Sequence, residues 1–284
     1  MSEGEVGAGA LRARKTWRTL EPLHGMVYFV PEAAEAYGRV GITGRAGYFA
    51  SRAAPMGAVQ ADVVVSTFFN FNPELVHAAI PSSWAVALPQ TLVESRFAAV
   101  DAACRRILGD AIVTSDEMRR AARLTRAAAE EAARRVEGRP LAAAHAELAW
   151  PTEPHLVLWH AQSILREFRG DGHIALLVTH GLSGIEALVT HAATGEVPAH
   201  ALLSTRGWPD ETWDAAVESL HRRGWLEAGA PLRLTAWGAA QRRAIEEGTD
   251  SLASAPYDVL GEDDCTELRA LVRPWSTVFA EHMR

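Results

Sequence analysis

The polar side chains that could do chemistry here are those set inside apolar segments. His24 and Tyr28 are four residues apart, so on a helix they share a face. Arg52 sits between Tyr48-Phe49 and the turn Pro55-Met56-Gly57, and Asn70 and Asn72 interrupt the aromatic run Phe68-Phe69-Asn70-Phe71-Asn72. His160 stands beside Trp159 in an apolar stretch, and Arg169, Asp171 and His173 crowd a helix junction. Aromatic walls with a few convergent polar groups are the usual form of a small-molecule site. One enclosed pocket is therefore expected, lined by His24, Tyr28, Tyr48, Phe49, Arg52, Phe69, Asn70, Trp159, His160 and His173. In it Arg52 favours an anionic or carbonyl-bearing ligand, and His24 or His160 serves as donor, base or metal ligand.

Each residue also has a structural role to weigh. Asn72, before Pro73, is most simply a helix N-cap, and Asp171 the cap of the helix after it. Arg52 can close an ion pair with Glu32, Glu35 or Asp171. A lone histidine on an apolar helix is more often a hydrogen-bonded core residue than a ligand. Trp159 and the phenylalanines are core candidates first. Standard catalytic templates are missing. There is no His-Glu-x-x-His run and no Gly-x-Ser-x-Gly elbow, and Gly41, Gly44 and Gly47 lack phosphate-loop spacing. A site built from His24, His160 and His173 could hold zinc, iron or an axial haem bond, which keeps a metal- or haem-dependent enzyme open as an alternative. No catalytic residue is assigned.

The elements that must position these groups read as helices. Thr19-Leu20-Glu21-Pro22 looks like a helix start, and Pro31 should end or kink that helix. Asn72-Pro73 opens another helix, which ends before Pro81. The segments 88–108 and 115–136 are long helices, the second opened by Ser115 and stopped by Gly138-Arg139-Pro140. A helix over 156–169 is expected to break at Gly170-Asp171-Gly172. The segment 173–188 is the most apolar and should be deeply buried. Asp263 to Met283 makes a last helix.

Composition sets the bounds. The chain has 284 residues, with 48% hydrophobic and 22% charged, enough for two domains or one large one. A net charge of -7 excludes general attraction to nucleic acid or anionic membrane. Lys15 is the only lysine, which with the alanine richness reads as coding bias of a GC-rich genome. Cys104 and Cys265 form no framework and no metal pair. No apolar run has the length of a membrane span, and no signal-peptide core appears, which points to a cytoplasmic protein with no membrane partner.

The segment 200–247 carries the clearest pattern. Ser204-Thr205-Arg206-Gly207-Trp208-Pro209-Asp210 closes a turn and opens a helix bearing Trp213, Val217 and Leu220 at helical spacing. Arg222-Arg223-Gly224-Trp225 and Leu232-Arg233-Leu234-Thr235-Ala236-Trp237-Gly238 come next. This resembles the recognition helix, wing and wing exit of MarR-type regulators. Yet the helix that would enter the groove carries Asp210, Glu211, Asp214 and Glu218. DNA affinity comes largely from neutralising phosphates, so four carboxylates argue against specific DNA binding. The segments 20–29, 48–57 and 165–175 read LEPLHGMVYF, YFASRAAPMG and LREFRGDGHIA. They resemble an actinobacterial family of helix-turn-helix proteins of unknown function, over residues 20–275. The resemblance implies an all-α fold: a multi-helix domain with an embedded MarR-like winged-helix region. It transfers no reaction and no catalytic residue. The expected division is a disordered N-terminus over 1–15, a helical domain with the ligand pocket over 16–198, and a winged-helix region plus C-terminal helices over 199–284. The favoured reading is a protein that binds an apolar or aromatic metabolite. A ligand-responsive regulator, with Arg206, Arg222, Arg223 and Arg233 as phosphate contacts, is the other alternative. MarR-type dimerisation makes a homodimer an expectation by analogy.

Overall fold

The computed structural model describes residues 3–229 and 231–283, with side chains from residue 7 onward. These residues are helical, joined by turns. Among them the one β-feature is an isolated antiparallel bridge between Leu226 and Leu234. The chain divides into two compact units, each discontinuous in sequence. The first comprises Met1–Val59, Ala79–Gly172 and Asp250–Arg284; the second comprises Gln60–Ala78 and His173–Thr249. These boundaries are not those of a single cut at 198/199, because the C-terminal helix belongs with the N-terminal one.

In the first unit the helix Glu3–Gly25 lies along the helix Gly261–His282. Ala13, Thr16, Leu20, Leu23 and His24 are buried at helical spacing on one, and Cys265, Leu268, Val272, Trp275 and Phe279 on the other. Arg269 Nη1 donates to Thr16 Oγ1 at 3.1 Å across the seam. This corrects the expectation of disorder over 1–15. Residues 3–15 are helical, because the partner face comes from the far end of the chain; Met1 and Ser2 lie outside the described residues. It also moves the helix start expected at Thr19–Pro22. Pro22 lies near the end of the helix, whose buried stripe runs on through Leu23 and His24. The helix does stop short of Pro31, which opens the next one, Pro31–Arg39.

The helix Pro89–Leu108 buries Leu92, Val93, Arg96, Ala99, Val100 and Ala103. The helix Asp116–Ala133 is opened by Ser115, whose side chain accepts from Met118 N at 3.1 Å. The break expected at Gly170-Asp171-Gly172 does not occur: one helix runs from Pro154 to Thr179. Each helical glycine costs about 1 kcal/mol relative to alanine, but Asp171 returns part of that through an unexpected contact. Its Oδ2 accepts from Leu141 N at 3.0 Å and Ala142 N at 2.9 Å, capping the helix Pro140–Ala146 rather than one after it in sequence. Arg169 and His173, read with Asp171 as one polar knot, each reach a partner from a distant segment. Arg169 Nη2 donates to Asp250 at 2.7 Å, while His173 Nδ1 lies 2.9 Å from Thr249 Oγ1.

The second unit holds the helices Ala61–Phe68, Gly184–Ala192, Ala199–Arg206 and Asp210–Arg222 around a core that includes Leu177, Leu188, Trp213, Leu220 and Trp225. The long apolar helix expected over 173–188 ends instead at Thr179. A turn at Gly181 and a Ser183–Glu186 capping box start the next helix, and Val178 is exposed. Asn72 fulfils the cap read from the sequence. Its Oδ1 accepts from Glu74 N at 3.1 Å, and its Nδ2 also donates to Gly207 O at 2.8 Å. Gly207 ends the helix Ala199–Arg206 at φ 69°, where a Cβ would stand 2.4 Å from Leu75 Cδ1. After the bridge, Thr235 Oγ1 accepts from Gly238 N at 2.9 Å and opens the helix Ala236–Leu252.

Candidate functional site

Six elements aim side chains into the interior of the first unit. The helix Pro154–Thr179 supplies Trp159, Ser163, Arg166 and Glu167, spaced so that they share one face. The end of the helix Glu3–Gly25 and the turn Met26–Tyr28 supply Glu21, His24 and Tyr28. The helix Arg45–Ala53 supplies Tyr48, Phe49 and Arg52; Pro89–Leu108 supplies Arg96 and Phe97; Pro140–Ala146 supplies His145.

Glu167 is the centre of charge. Arg52 grips it with two bonds, Nη2 to Oε2 at 2.8 Å and Nε to Oε1 at 3.2 Å, and Arg166 Nη1 adds a third at 2.9 Å. Arg166 Nε also holds Glu21 at 2.9 Å. Burial by itself would raise the Glu167 carboxyl, but Arg52 and Arg166 overcome it and keep it well below the usual carboxylate range. The Arg52 guanidinium is therefore committed to Glu167, a partner not among the three carboxylates weighed from the sequence.

Around this ion pair runs a chain of rings. His24 stacks on Trp159 with centroids 5.2 Å apart and meets Tyr28 edge-on at 5.8 Å. Tyr28 reaches Tyr48 at 5.0 Å, Tyr48 reaches Phe49 at 5.4 Å, and Arg52 Nη1 lies 3.3 Å from Tyr48 Oη. Phe97 bridges Trp159 at 5.5 Å to His160 at 5.6 Å. The structure thus brings together His24, Tyr28, Tyr48, Phe49, Arg52 and Trp159, with His160 one ring further on. Phe69, Asn70 and His173 fall in the second unit. There Asn70 O accepts from Trp208 Nε1 at 2.9 Å, and Phe69, at φ 51°, presents its carbonyl to Gly184, where a Cβ would stand 2.0 Å away.

Four functional candidates escaped the sequence reading: Arg96, His145, Arg166 and Glu167. Arg96 is 3% exposed. Its Nη2 donates to Tyr28 Oη at 3.0 Å and its Nη1 to Ser51 O at 3.2 Å, while its guanidinium carbon lies 5.4 Å from the Tyr28 ring and 5.2 Å from Trp159. A signal was present, since Arg96 interrupts the apolar stripe Leu92, Val93, Ala99, Val100. His24 and His145 are buried, and neither ring nitrogen of either has a protein partner. Burial, then Arg166 and Arg96, push His24 well below 6.5; burial, then Arg96, push His145 down to about 3. Both rings are neutral at physiological pH, so each offers one donor and one acceptor. His160 is pushed down to about 4 by burial, opposed by the nearby backbone of Leu148, and its ring nitrogens make no well-formed hydrogen bond within the protein. Among the described residues no group of three or more histidine, cysteine, aspartate or glutamate side chains is placed to hold a metal ion, so the His24–His160–His173 centre is not assembled.

In the second unit the helix Asp210–Arg222 exposes Asp210, Glu211, Asp214 and Glu218. The arginines considered as phosphate contacts are largely engaged within the protein. Arg222 pairs with Glu218 at 3.2 Å, Arg223 with Glu186 at 2.9 Å and with Gly181 O at 2.9 Å, and Arg206 lies 4.7 Å over the Phe71 ring. Arg233 is exposed. A surface depression of about 490 Å³ is lined by Asn72, Glu74, Leu203, Trp208 and Asp210.

In the second unit the helices Ala199–Arg206 and Asp210–Arg222 are joined through Gly207, and one antiparallel bridge pairs Leu226 with Leu234. The chain belongs to a helix-turn-helix family, whose model matches residues 13–283. No curated relative and no solved structure matches it. No single helix among the described residues is long and apolar enough to cross a membrane.

Proposed function

We propose that this protein binds a small molecule within its first unit, on the scaffold of a helix-turn-helix family. One observation carries the reading: His24 and His145 are 0% and 2% exposed, and all of their ring nitrogens lack protein partners. A buried polar atom left unsatisfied costs about 1–3 kcal/mol. A ligand that bonds these atoms recovers that cost, and the faces of Tyr28, Tyr48 and Trp159 suit an apolar or aromatic body. Native mass spectrometry of freshly purified protein tests this. The expected result is a mass above the 30.7 kDa of the chain that disappears on denaturation. A bare chain, with no metabolite raising its melting temperature, overturns it.

A second reading is a ligand-responsive regulator of MarR type, cytoplasmic and dimeric through its terminal helices. Family membership favours it, as does the hairpin bridged at Leu226 and Leu234, which supports a winged-helix reading. The carboxylates of the helix Asp210–Arg222 and the internal pairing of Arg222 and Arg223 weigh against tight operator binding.

A further inference from the structure

The buried guanidiniums near Glu167 are not all paired with carboxylates. Arg52 and Arg166 are matched by Glu167 and Glu21. Arg96 is a further cation, almost fully buried, and among the described residues no carboxylate pairs with it. Its two terminal nitrogens are used by a phenol and a carbonyl, and its Nε has no partner. Taking a guanidinium out of water is costly, and neutral acceptors with two aromatic faces offset only part of that cost. The same Tyr28 and Trp159 rings that flank Arg96 also flank His24. The helices that carry His145 and Arg96 both pack against the turn Ala54–Met56, beside the Ser51 carbonyl that Arg96 binds.

We infer that Arg96, with His24 and His145, forms a receptor for the carboxylate of a small organic acid with an apolar body. The inference rests on the small-molecule reading above and deepens it by naming the ligand class. One guanidinium without a carboxylate partner, its Nε–H unused, suits a single negative charge. Neutral His24 and His145 add an N–H donor each for the carboxylate oxygens and keep an acceptor each for a hydroxyl on the same ligand. Tyr28, Tyr48 and Trp159 line the apolar side. Arg52, the sequence-based choice of anion receptor, cannot take this role without releasing Glu167.

The test is isothermal titration of the full chain with benzoate, hexanoate and indole-3-acetate, and with neutral benzamide and inorganic phosphate as contrasts. Saturable binding of at least one carboxylate is expected. Its neutral isostere, benzamide in the case of benzoate, and phosphate should bind at least ~10-fold more weakly, about 1.4 kcal/mol. Arg96→Met should weaken the carboxylate by at least the same factor while the circular dichroism spectrum is kept. Should Arg96→Met not fold, Arg96→Lys and His145→Gln replace it; carboxylate binding unchanged in both overturns the assignment. Benzamide binding as well as benzoate overturns the anion class and leaves a small-molecule site standing. No heat from any of the three carboxylates also overturns the assignment, and the mass spectrum then judges the broader reading separately.

Discussion

The imidazole of His24 lies parallel to the indole of Trp159, 5.2 Å between centroids and 6° between planes, and Trp159 Nε1 faces the carbonyl of His24 at 3.4 Å. The contact joins the end of the first helix to the second turn of the helix Pro154–Thr179. It also places a titratable ring where water does not reach, one of the buried groups that set how the protein responds to acid.

His24, His145 and His160 all have folded-state pKa values lowered first by burial, to about 3 for His145 and about 4 for His160. Each takes up its proton more readily in the unfolded chain. Their contribution to stability is complete above about pH 6.5 and is lost as pH falls toward the folded values, at up to about 1.4 kcal/mol per pH unit per histidine. Asp171 runs the other way. Burial raises it to about 6, so its contribution is present at low pH and is lost as pH rises through that value. Three histidines outweigh one aspartate, and urea unfolding midpoints should fall between pH 7 and pH 5. His145→Gln should flatten that slope; a midpoint independent of pH would contradict the neutral, buried histidines.

Asp171→Ala should lower stability by about 1–2 kcal/mol through loss of the cap on Leu141 and Ala142. Asp171→Asn keeps one acceptor oxygen and should cost less. Thermal melts of the two variants check the order, and an unchanged melting temperature in Asp171→Ala would remove the cap from the account.

Glu167→Gln should be the most damaging conservative change in the first unit. It leaves Arg52 and Arg166 facing a neutral amide, and breaking a buried pair from one side costs about 3–5 kcal/mol. Arg52→Met alone should cost less, because Arg166 still compensates Glu167. A double-mutant cycle on Arg52 and Glu167 should return a coupling above about 1 kcal/mol. Additive effects would mean the pair is not formed.

Duplex DNA should not be held specifically through the helix Asp210–Arg222. Fluorescence anisotropy at physiological salt is expected to show weak, sequence-independent association that vanishes as salt rises. Nanomolar binding lost in an Arg222→Ala/Arg223→Ala variant would reverse this and favour the regulator.

Local features were legible from the residues alone. Ser115 and Asn72 cap the helices they precede, Pro31 and Pro73 stand at helix starts, and the acidic face of the helix Asp210–Arg222 is a property of its own residues. Caps and periodicity depend on groups within about one turn of each other, so spacing exposes them. The choice of partner does not. Residues 3–15 are helical where Ala13 packs in one cluster with Tyr257 and Cys265, and Arg12 pairs with Asp258. Gly170 and Gly172 stay helical while Asp171 caps Leu141, a residue with no sequence cue linking it to that aspartate. Arg52 meets Glu167, which leaves Arg96 as the unmatched cation between Tyr28 and Trp159. Burial and pairing are set by segments distant in sequence, and only the packed tertiary structure decides which charge is neutralised and which is not.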